Sequence, residues 1–345
     1  MSMKRVVLLL FALLALGVTA CGGDDDDDNG GGDTAATEEQ GTPAAGQEGP
    51  VKIAFSSPAA DHGWLKAVSD NAKEAGEELG DEVDLTVNDS AAGSAEQADQ
   101  IETLIQGKPD VLVVLPFEGD ALTPVAEKAT AAGIPVVNVD REFSAPGAYR
   151  LWIGGDNYGI GFQAGEYFAR ELDCEGNVVE IQGIAGISVT ELRTEGFTDA
   201  LEQRCDGGIR VVARQPADFL PDKGLSVMEN ILQAEDQIDA VYTHDDDMAE
   251  GVVAAIENAG REEEMFLTGA GGSNAAMERI EQGGLYRATF LYNPVMSASA
   301  IHLANLIARG QGLSELAEPE VPSRIQVPAT TVTRENVDEL KDLGY

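Results

Sequence analysis

The sequence predicts an α/β protein built as two similar lobes, each a parallel sheet flanked by helices. Short apolar segments alternate with segments of helical periodicity from residue 51 to residue 308. The short segments are apolar on nearly every residue, which is typical of parallel strands covered on both faces. The pattern also restarts near residue 152, and a chain of 345 residues is long enough for two hydrophobic cores.

The first series of elements starts at Val51, where an apolar run leads into a loop. The helix that follows has apolar residues at helical spacing and is succeeded by Gly80, a residue typical of helix ends. Gly133 and Pro135 mark the start of the fourth strand. The predicted strands are residues 51–56, 83–87, 111–116 and 134–139, and the predicted helices are 64–79, 94–105 and 121–132.

The second series repeats this alternation on a similar scale. Its predicted strands are residues 152–154, 177–181, 209–213, 240–243, 265–268 and 287–292, and its predicted helices are 157–172, 190–202, 223–234, 248–259, 273–281 and 294–308. Because strand and helix alternate without a break, we expect parallel sheets with right-handed connections. A cleft between two such lobes is suited to enclosing a small ligand.

The charge of the chain excludes one class of partner. The sequence carries 61 acidic and 22 basic residues, and its net charge is −39. Phosphate contacts need a basic face, so we expect no binding to nucleic acid. Part of the acidity lies in residues 22–50, which contain no basic and no aromatic residue. This composition predicts a disordered tether, with the folded part beginning at Val51.

Residues 1–21 have the features of an export signal. Lys4 and Arg5 precede an apolar core at residues 6–16 that is short for a membrane span. Small residues then lead to Cys21 in an arrangement that resembles a bacterial lipobox, whose cysteine is lipidated. We therefore expect an exported protein that is lipid-anchored at the outer face of the cytoplasmic membrane or in the periplasm. The alternative is an ordinary signal peptide in which Cys21 is incidental.

Two further cysteines, Cys174 and Cys205, follow in the exported part of the chain. Export permits a disulfide, and closing this loop would contribute on the order of 3–4 kcal/mol in the chain-entropy model. Two unpaired structural thiols are the alternative. Neither cysteine has a histidine nearby in sequence, so no catalytic role is predicted.

Asp140 and Arg141 directly follow the strand predicted at residues 134–139. In open parallel sheets, ligands bind beyond the carboxyl ends of the strands. A carboxylate accepts hydrogen bonds from hydroxyl groups, and a guanidinium donates them to hydroxyl or ring oxygens. The pair therefore suits a neutral polyhydroxylated ligand, whereas an isolated pair would be an ordinary solvated ion pair.

Four segments in the second series closely resemble the ribose-binding proteins, the extracytoplasmic substrate-binding proteins of sugar ABC transporters. They are residues 179–186 (VEIQGIAG), 193–197 (RTEGF), 215–219 (QPADF) and 223–228 (KGLSVM), within a resemblance that runs from about Val51 to Gly312. The resemblance implies the type I periplasmic binding fold, in which two Rossmann-like lobes joined by a three-segment hinge close over a monosaccharide. By the same resemblance, the first lobe is residues 51–155 plus 293–322, and the second is 156–292 plus 323–345.

The resemblance also suggests individual contacts. Asp140 and Arg141 match a pair that binds sugar hydroxyls, Arg193 matches the binding arginine of the second lobe, and Phe219 matches an aromatic residue that packs on the sugar ring. The candidate ligand-binding residues are His62, Trp64, Asp140, Arg141, Arg193, Phe219, Asp245 and Tyr292. Some of them have structural alternatives: Trp64 as core, His62 as a loop cap, and Arg193 in a surface ion pair with Glu191 or Glu195.

Several positions depart from the ribose-binding pattern. Gly271 lies where ribose binders carry a carboxylate, Tyr292 replaces a glutamine, and Asp245 stands where an asparagine is usual. The first loop, residues 61–64 (DHGW), also replaces an Asn-Pro-Phe type of sequence. The resemblance therefore implies a ligand that is a monosaccharide, a polyol or a cyclitol, and not ribose itself.

The three consecutive aspartates at residues 245–247 do not have the alternate spacing of a calcium-binding loop. We expect one of them to face the cleft and the others to cap the next helix. The sequence contains no P-loop, zinc pattern or nucleophile elbow, and no cofactor or metal is predicted.

The predicted function is that of a solute-binding lipoprotein that captures its ligand by hinge closure and delivers it to an ABC permease. We expect a monomer with no catalytic activity. A sensory receptor of the same fold, signalling to a membrane kinase or chemoreceptor, is the first alternative. A sugar-processing enzyme is the second, although no acid pair lies in a recognised catalytic motif. Transcription repressors of related fold are excluded, because their basic DNA-binding helices are replaced here by the export signal and the acidic tether.

Overall fold

The structure is a computed structural model, and it describes residues 49–345. The predicted signal peptide, the lipidation site Cys21 and residues 22–48 of the predicted tether lie outside the described residues. Within the described part, no helix is long and apolar enough to cross a membrane.

The first sheet has six parallel strands in the order β11-β5-β4-β3-β1-β2. Its strands are apolar and buried in the centre, where β3 and β4 are covered on both faces, as their valine-rich sequences predict. The elements are β1 (Val51–Pro58), α1 (Gly63–Leu79), β2 (Val83–Ala91), α2 (Ser94–Gln106), β3 (Val111–Val114), α3 (Gly119–Ala131), β4 (Val136–Val139) and β5 (Leu151–Gly155).

The second sheet also has six strands, in the order β12-β10-β9-β8-β6-β7. Its elements are α4 (Asn157–Glu171), β6 (Gly176–Gln182), α5 (Ser188–Cys205), β7 (Ile209–Pro216), α6 (Pro221–Ala234), β8 (Ala240–Thr243), α7 (Asp246–Ala259), β9 (Phe266–Thr268), α8 (Asn274–Gln282) and β10 (Tyr286–Phe290). The remaining elements are α9 (Met296–Ala308), which packs on the first sheet, then β11 (Arg324–Val327), β12 (Thr331–Thr333) and α10 (Val337–Leu340). The predicted fold class is confirmed by these two sheets and their flanking helices.

One strand departs from the predicted all-parallel arrangement. β12 pairs antiparallel with β10 at the edge of the second sheet. Only three residues separate β11 from β12, and this short connection carries the chain from the first sheet to the second. A parallel pair of strands needs a long crossover connection, which is usually a helix. No helix lies between β11 and β12, so the alternation that predicts parallel pairing does not extend to β12.

The chain passes between the two sheets three times, between β5 and α4, between β10 and α9, and between β11 and β12. The family resemblance of the sequence places residues from 323 onwards in the second lobe. Strand β11, however, pairs with β5 in the first sheet, with Ile325 opposite Ile153. We therefore propose that the third boundary lies between Val327 and Thr331.

Cys174 and Cys205 form a disulfide, with their Cα atoms 4.9 Å apart. The disulfide joins the turn after α4 to the last residue of α5. It belongs entirely to the second lobe, on two helices that pack side by side. Of the two alternatives considered from the sequence, a disulfide or two unpaired thiols, the structure contains the disulfide.

Candidate functional site

All eight candidate residues line a single cavity between the lobes. The cavity encloses about 340 Å³ of empty space, part of which opens to solvent. Val189, Ala270 and Gly271 complete its wall. The first lobe contributes the loop after β1 and the end of β4, and the second contributes α5, the loop after β7 and the ends of β8 and β9. These are carboxyl ends of parallel strands or helix starts, where ligand sites are expected in open α/β sheets.

Asp140 and Arg141 are held in place by the turn that follows β4. The side chain of Asn138 donates to the Arg141 carbonyl at 2.9 Å and accepts from the Phe143 amide at 2.9 Å. Asp140 has a φ of +63° in this turn, a conformation that aspartate tolerates better than most residues. The Trp152 indole donates to the Asp140 carbonyl at 3.0 Å. The turn is therefore fixed through both its side chains and its backbone.

Both charged groups of this pair are almost fully buried. Asp140 Oδ1 accepts a hydrogen bond from the Tyr292 hydroxyl, and Asp140 Oδ2 lies 3.9 Å from Arg141 Nε. Arg141 Nη1 donates to the Phe117 carbonyl at 2.7 Å. Burial raises the pKa of Asp140 above its ordinary value, although Arg141 and Tyr292 oppose the rise. A second donor to this carboxylate, such as a ligand hydroxyl, would satisfy its remaining oxygen.

Arg193 lies in the second turn of α5 and is buried. Its Nε donates to Asn157 Oδ1 at 2.9 Å, and its Nη1 donates to the His244 carbonyl. Its guanidinium carbon lies 4.7 Å from the centroid of the Tyr292 ring, within the range of a cation–π contact. The surface ion pair with Glu191 or Glu195 that was considered from the sequence is not formed, because the side chain points into the cleft.

Aromatic side chains form the apolar walls of the cavity. The Trp64 indole donates to the Tyr292 carbonyl at 2.7 Å, and the two rings lie 5.4 Å apart. Phe219 faces His62 from the opposite lobe, with ring centroids 6.2 Å apart. The backbone of Phe219 has a φ of +66°, and a Cβ on Gly183 would lie 2.0 Å from the Phe219 ring. Gly183 therefore makes room for a ring that the backbone holds in an uncommon conformation.

His62 and Asp245 are two titratable groups of the cavity, one from each lobe, and each influences the pKa of the other. His62 Nδ1 lies 2.6 Å from Asp61 Oδ1. Burial lowers the pKa of His62, but Asp61, Asp245 and Asp247 outweigh this effect and raise the pKa above its ordinary value. Burial raises the pKa of Asp245 to about 7, with His62 opposing the rise and Asp247 adding to it.

The roles expected for the three consecutive aspartates need a correction. Asp245 both faces the cavity and caps α7, because its Oδ1 accepts from the Met248 amide at 2.9 Å. Asp246 is fully buried and does not cap the helix; it accepts from the Gly272 amide at 2.6 Å and from the Tyr286 hydroxyl at 2.7 Å. Asp245 thus serves both predicted roles. It lies between the end of β8 and the start of α7, so its side chain can cap the helix and still line the cavity.

Asp247 has a role that the sequence did not indicate. Its Oδ2 accepts from the Trp64 amide at 3.1 Å, across the cleft and 183 residues away in sequence. Trp64 lies in the first turn of α1, and the N-cap residue of this helix makes no capping hydrogen bond with its own side chain. The aspartate from one lobe therefore caps the helix of the other, at the end where a negative charge is favourable.

Asn157 was likewise missed. Its amide donates to the Tyr292 hydroxyl at 3.1 Å and its carbonyl oxygen accepts from Arg193. It is the first residue of α4, directly after the first crossing between the sheets. Only its position beside the predicted strand 152–154 could have drawn attention to it.

The cavity offers a balanced set of hydrogen-bonding groups. Within residues 49–345, no hydrogen bond is formed by Oδ2 of Asp140, Oδ2 of Asp245 or Nη2 of Arg193. A ligand hydroxyl group can donate a hydrogen bond to one of these carboxyl oxygens and accept one from the guanidinium group. Two carboxyl groups stand against two guanidinium groups, and the His62 imidazole pairs with Asp61, which suits a ligand without net charge. No cluster of histidine, cysteine or acidic residues in the described part of the chain has the makings of a metal site.

Comparison with known proteins gives a family match over most of the chain. The model of a family described as "Periplasmic binding protein domain" matches residues 53–312. The ribose import binding protein RbsB of Bacillus subtilis is 34% identical over 197 residues, which are 57% of this chain and 62% of that protein. The match therefore spans somewhat less than two thirds of that relative.

Solved structures agree with the fold. An ABC transporter solute-binding protein from Bacillus halodurans with bound myo-inositol is 26% identical with a TM-score of 0.77, covering 86% of this chain and 99% of that one. The fructose-binding periplasmic domain of a hybrid two-component system is 27% identical with a TM-score of 0.75, covering 84% of this chain and 93% of that one.

Proposed function

This chain belongs to the periplasmic binding protein family, and we propose that it captures a monosaccharide, polyol or cyclitol and delivers it to the permease of an ABC importer. The family consists of solute-binding proteins and not of enzymes, and its members work outside the cytoplasm. The observation that carries the proposal is the cavity itself. It joins two aspartates and two arginines to three aromatic walls, all contributed by strand ends and helix starts of the two lobes.

The chemistry of the walls supports a neutral polyol. A sugar presents hydroxyl groups around its edge and C–H groups on its faces. Trp64, Phe219 and Tyr292 offer ring surfaces for the C–H faces, and Asp140 and Arg193 offer acceptors and donors for the hydroxyls. A buried hydroxyl left without a partner would cost about 1–3 kcal/mol, so this pairing selects ligands whose hydroxyls match it.

The mechanism is hinge closure. Three chain crossings connect the lobes, so the lobes can rotate about them while each sheet stays rigid. In the structure, the lobes already touch through Trp64 and Asp247 and through His62 and Phe219. A ligand that bonds to Asp140 in one lobe and Asp245 in the other stabilises this closed arrangement, which is the form that docks on a permease.

We also propose a lipid anchor at Cys21, which rests on the sequence alone because this residue lies outside the described part of the chain. Mass spectrometry of the protein extracted from membranes tests it. A diacylglyceryl-modified cysteine at position 21 is the expected result, and cleavage before another residue with no lipid would contradict it. We expect the protein to be monomeric, which size-exclusion chromatography with light scattering will check.

The function is tested by the melting temperature of residues 49–345 in the presence of D-ribose, D-allose, D-fructose, myo-inositol and glycerol. A ligand at about 100 times its dissociation constant stabilises the native state by about 2.7 kcal/mol. A chain of about 300 residues unfolds with an entropy near 0.6 kcal/mol/K, so we expect a rise of about 4 °C.

Asp140→Ala and Arg193→Ala should abolish this rise. Arg204→Ala is the matched control, because Arg204 lies on the same helix as Arg193 but is exposed and pairs with Glu166. A rise with one class of compound that survives only in the control supports the proposal. If no sugar or polyol raises the melting temperature, the proposal is wrong.

A sensory receptor is the second candidate, favoured by the likeness to the fructose-binding domain of a hybrid two-component system. The fold and the cavity would be the same in both cases. Affinity purification from membranes separates the two functions. Recovery of ABC permease subunits supports transport, and recovery of a membrane kinase or chemoreceptor supports sensing.

A further inference from the structure

Tyr345 follows α10 and packs against the start of α8, where its carbonyl oxygen accepts from the Asn274 amide at 3.0 Å. Its ring is partly exposed, but its hydroxyl oxygen is buried and has no hydrogen-bond partner among residues 49–345. Burial raises the pKa of this phenol well above its ordinary value, so the group remains a neutral donor and acceptor. A buried hydroxyl without a partner is unfavourable unless something else satisfies it.

The hydroxyl lies directly beside Gly271, a residue of the cavity wall. Gly271 lines the cavity, and a Cβ built on Gly271 would be 2.7 Å from the Tyr345 hydroxyl and 3.4 Å from Asp246 Oδ2. The phenol therefore occupies the position that a side chain of residue 271 would need. The φ of Gly271 is +136°, which other residues rarely adopt. Asp246 fixes the loop by accepting from the amides of Gly272 and Ser273.

The charges around the hydroxyl define what it can bind. The carboxyls of Asp245, Asp246 and Asp247 raise the pKa of this phenol, whereas Arg193 lowers it. An anionic ligand group would be unfavourable in these acidic surroundings, whereas an alcohol oxygen can accept a hydrogen bond from the phenol. The geometry thus matches one hydroxyl of a neutral polyol at this end of the cavity.

We propose that Tyr345 is a specificity-determining residue of the ligand site, where its hydroxyl replaces the side chain that Gly271 lacks and bonds to one hydroxyl of the bound polyol. This inference rests on the proposed sugar-binding function. It extends the site to the segment after α10, which reaches the cavity only through the contact of Tyr345 with Gly271 in the described part of the chain.

The test compares Tyr345→Phe with Tyr167→Phe, each by calorimetric titration with D-ribose, D-allose and myo-inositol and by melting without ligand. Tyr167 also lies in the second lobe, on α4 beside Arg170, and lines a separate surface depression. We expect Tyr345→Phe to melt at or above the wild-type temperature without ligand, since it removes a buried unpaired hydroxyl. With the sugar that the wild type binds, its dissociation constant should rise about 3- to 10-fold, while Tyr167→Phe binds as the wild type does.

Two outcomes separate this inference from the function on which it rests. If the wild type binds a sugar and Tyr345→Phe binds it equally well, Tyr345 is not part of the site although the proposed function stands. If the wild type binds none of the three compounds or any other polyol tried, the proposed function fails and this inference fails with it. A lower melting temperature of Tyr345→Phe without ligand would also contradict the inference, because it would mean that the hydroxyl is already satisfied within the protein.

Discussion

Replacing Tyr292 by phenylalanine removes one hydroxyl group that connects three parts of the molecule. The hydroxyl donates to Asp140 Oδ1 in the first lobe and accepts from Asn157 Nδ2 at the first crossing, while Tyr292 itself lies just after β10 at the second crossing. The substitution keeps the ring, its contact with Trp64 and the backbone carbonyl that accepts from the indole. Any effect therefore comes from the hydroxyl alone.

The cost follows from the two bonds that are lost. A hydrogen bond to a charged group contributes about 1.5–3 kcal/mol, and a neutral one about 1 kcal/mol. Because Asp140 and Asn157 are both buried, we expect the unfolding free energy to fall by about 2–4 kcal/mol. With an unfolding entropy near 0.6 kcal/mol/K for about 300 residues, the melting temperature falls by about 3–6 °C.

Differential scanning calorimetry at neutral pH measures this change. Tyr158→Phe is the control, because its hydroxyl bonds to Asp199 at the surface and should matter much less. The loss should also raise the pKa of Asp140 further, since the hydrogen bond from Tyr292 is one of the contacts that lower it. If Tyr292→Phe melts like the wild type, the hydroxyl does not hold Asp140 and the geometry described for the cleft is wrong.

Three further predictions concern the closed arrangement and the second lobe. Asp247→Ala removes the side chain that caps α1 from the opposite lobe, so it should lower the unfolding free energy by about 1 kcal/mol and weaken sugar binding. Asp247→Asn keeps an acceptor for the Trp64 amide and should change neither the unfolding free energy nor sugar binding. The pKa of Asp245 is raised from 3.8 to about 7 in the native state, so between these pH values the native state holds a proton that the unfolded chain has lost. The melting temperature should therefore fall as the pH rises through this window. A pH series of melting curves measures this fall, which should be smaller in Asp245→Asn. Replacing Cys174 and Cys205 by serine opens a loop with a sequence separation of 31 and should cost about 3–4 kcal/mol without changing the sugar dissociation constant, while unchanged melting would contradict a role of the disulfide in stability.

The arrangement of strands and helices was largely predictable from the sequence because it depends on local periodicity. The segment after α9 was not, since β11 and β12 are edge strands of only four and three residues, too short to give a periodic signal. The sheet to which β11 belongs depends on pairing with β5, and no property of residues 324–327 alone determines this partner. For this reason we propose a boundary after Val327, later than the predicted residue 322.

Parts of the candidate site were predictable for a similar reason. Asp140 directly follows a buried strand, and the position of a strand end in a parallel sheet is enough to place it at the ligand edge. Contacts between distant residues were not predictable. The capping of α1 by Asp247 and the position of the Tyr345 hydroxyl behind Gly271 depend on how the lobes and the last segment pack. The positive φ of Phe219 is likewise imposed by its surroundings and not by its residue type.

The most direct test of ligand capture between the lobes uses the protein's own fluorescence. The chain has two tryptophans: Trp64 lines the cavity, and Trp152 donates to the carbonyl of Asp140. Titration with each sugar and polyol of the panel should give a saturable emission change with one compound class at one site per chain. This change should be lost in Asp140→Ala and reduced in Trp64→Phe. A flat titration with every compound, or a change that persists in Asp140→Ala, would contradict capture of a polyol in this cleft.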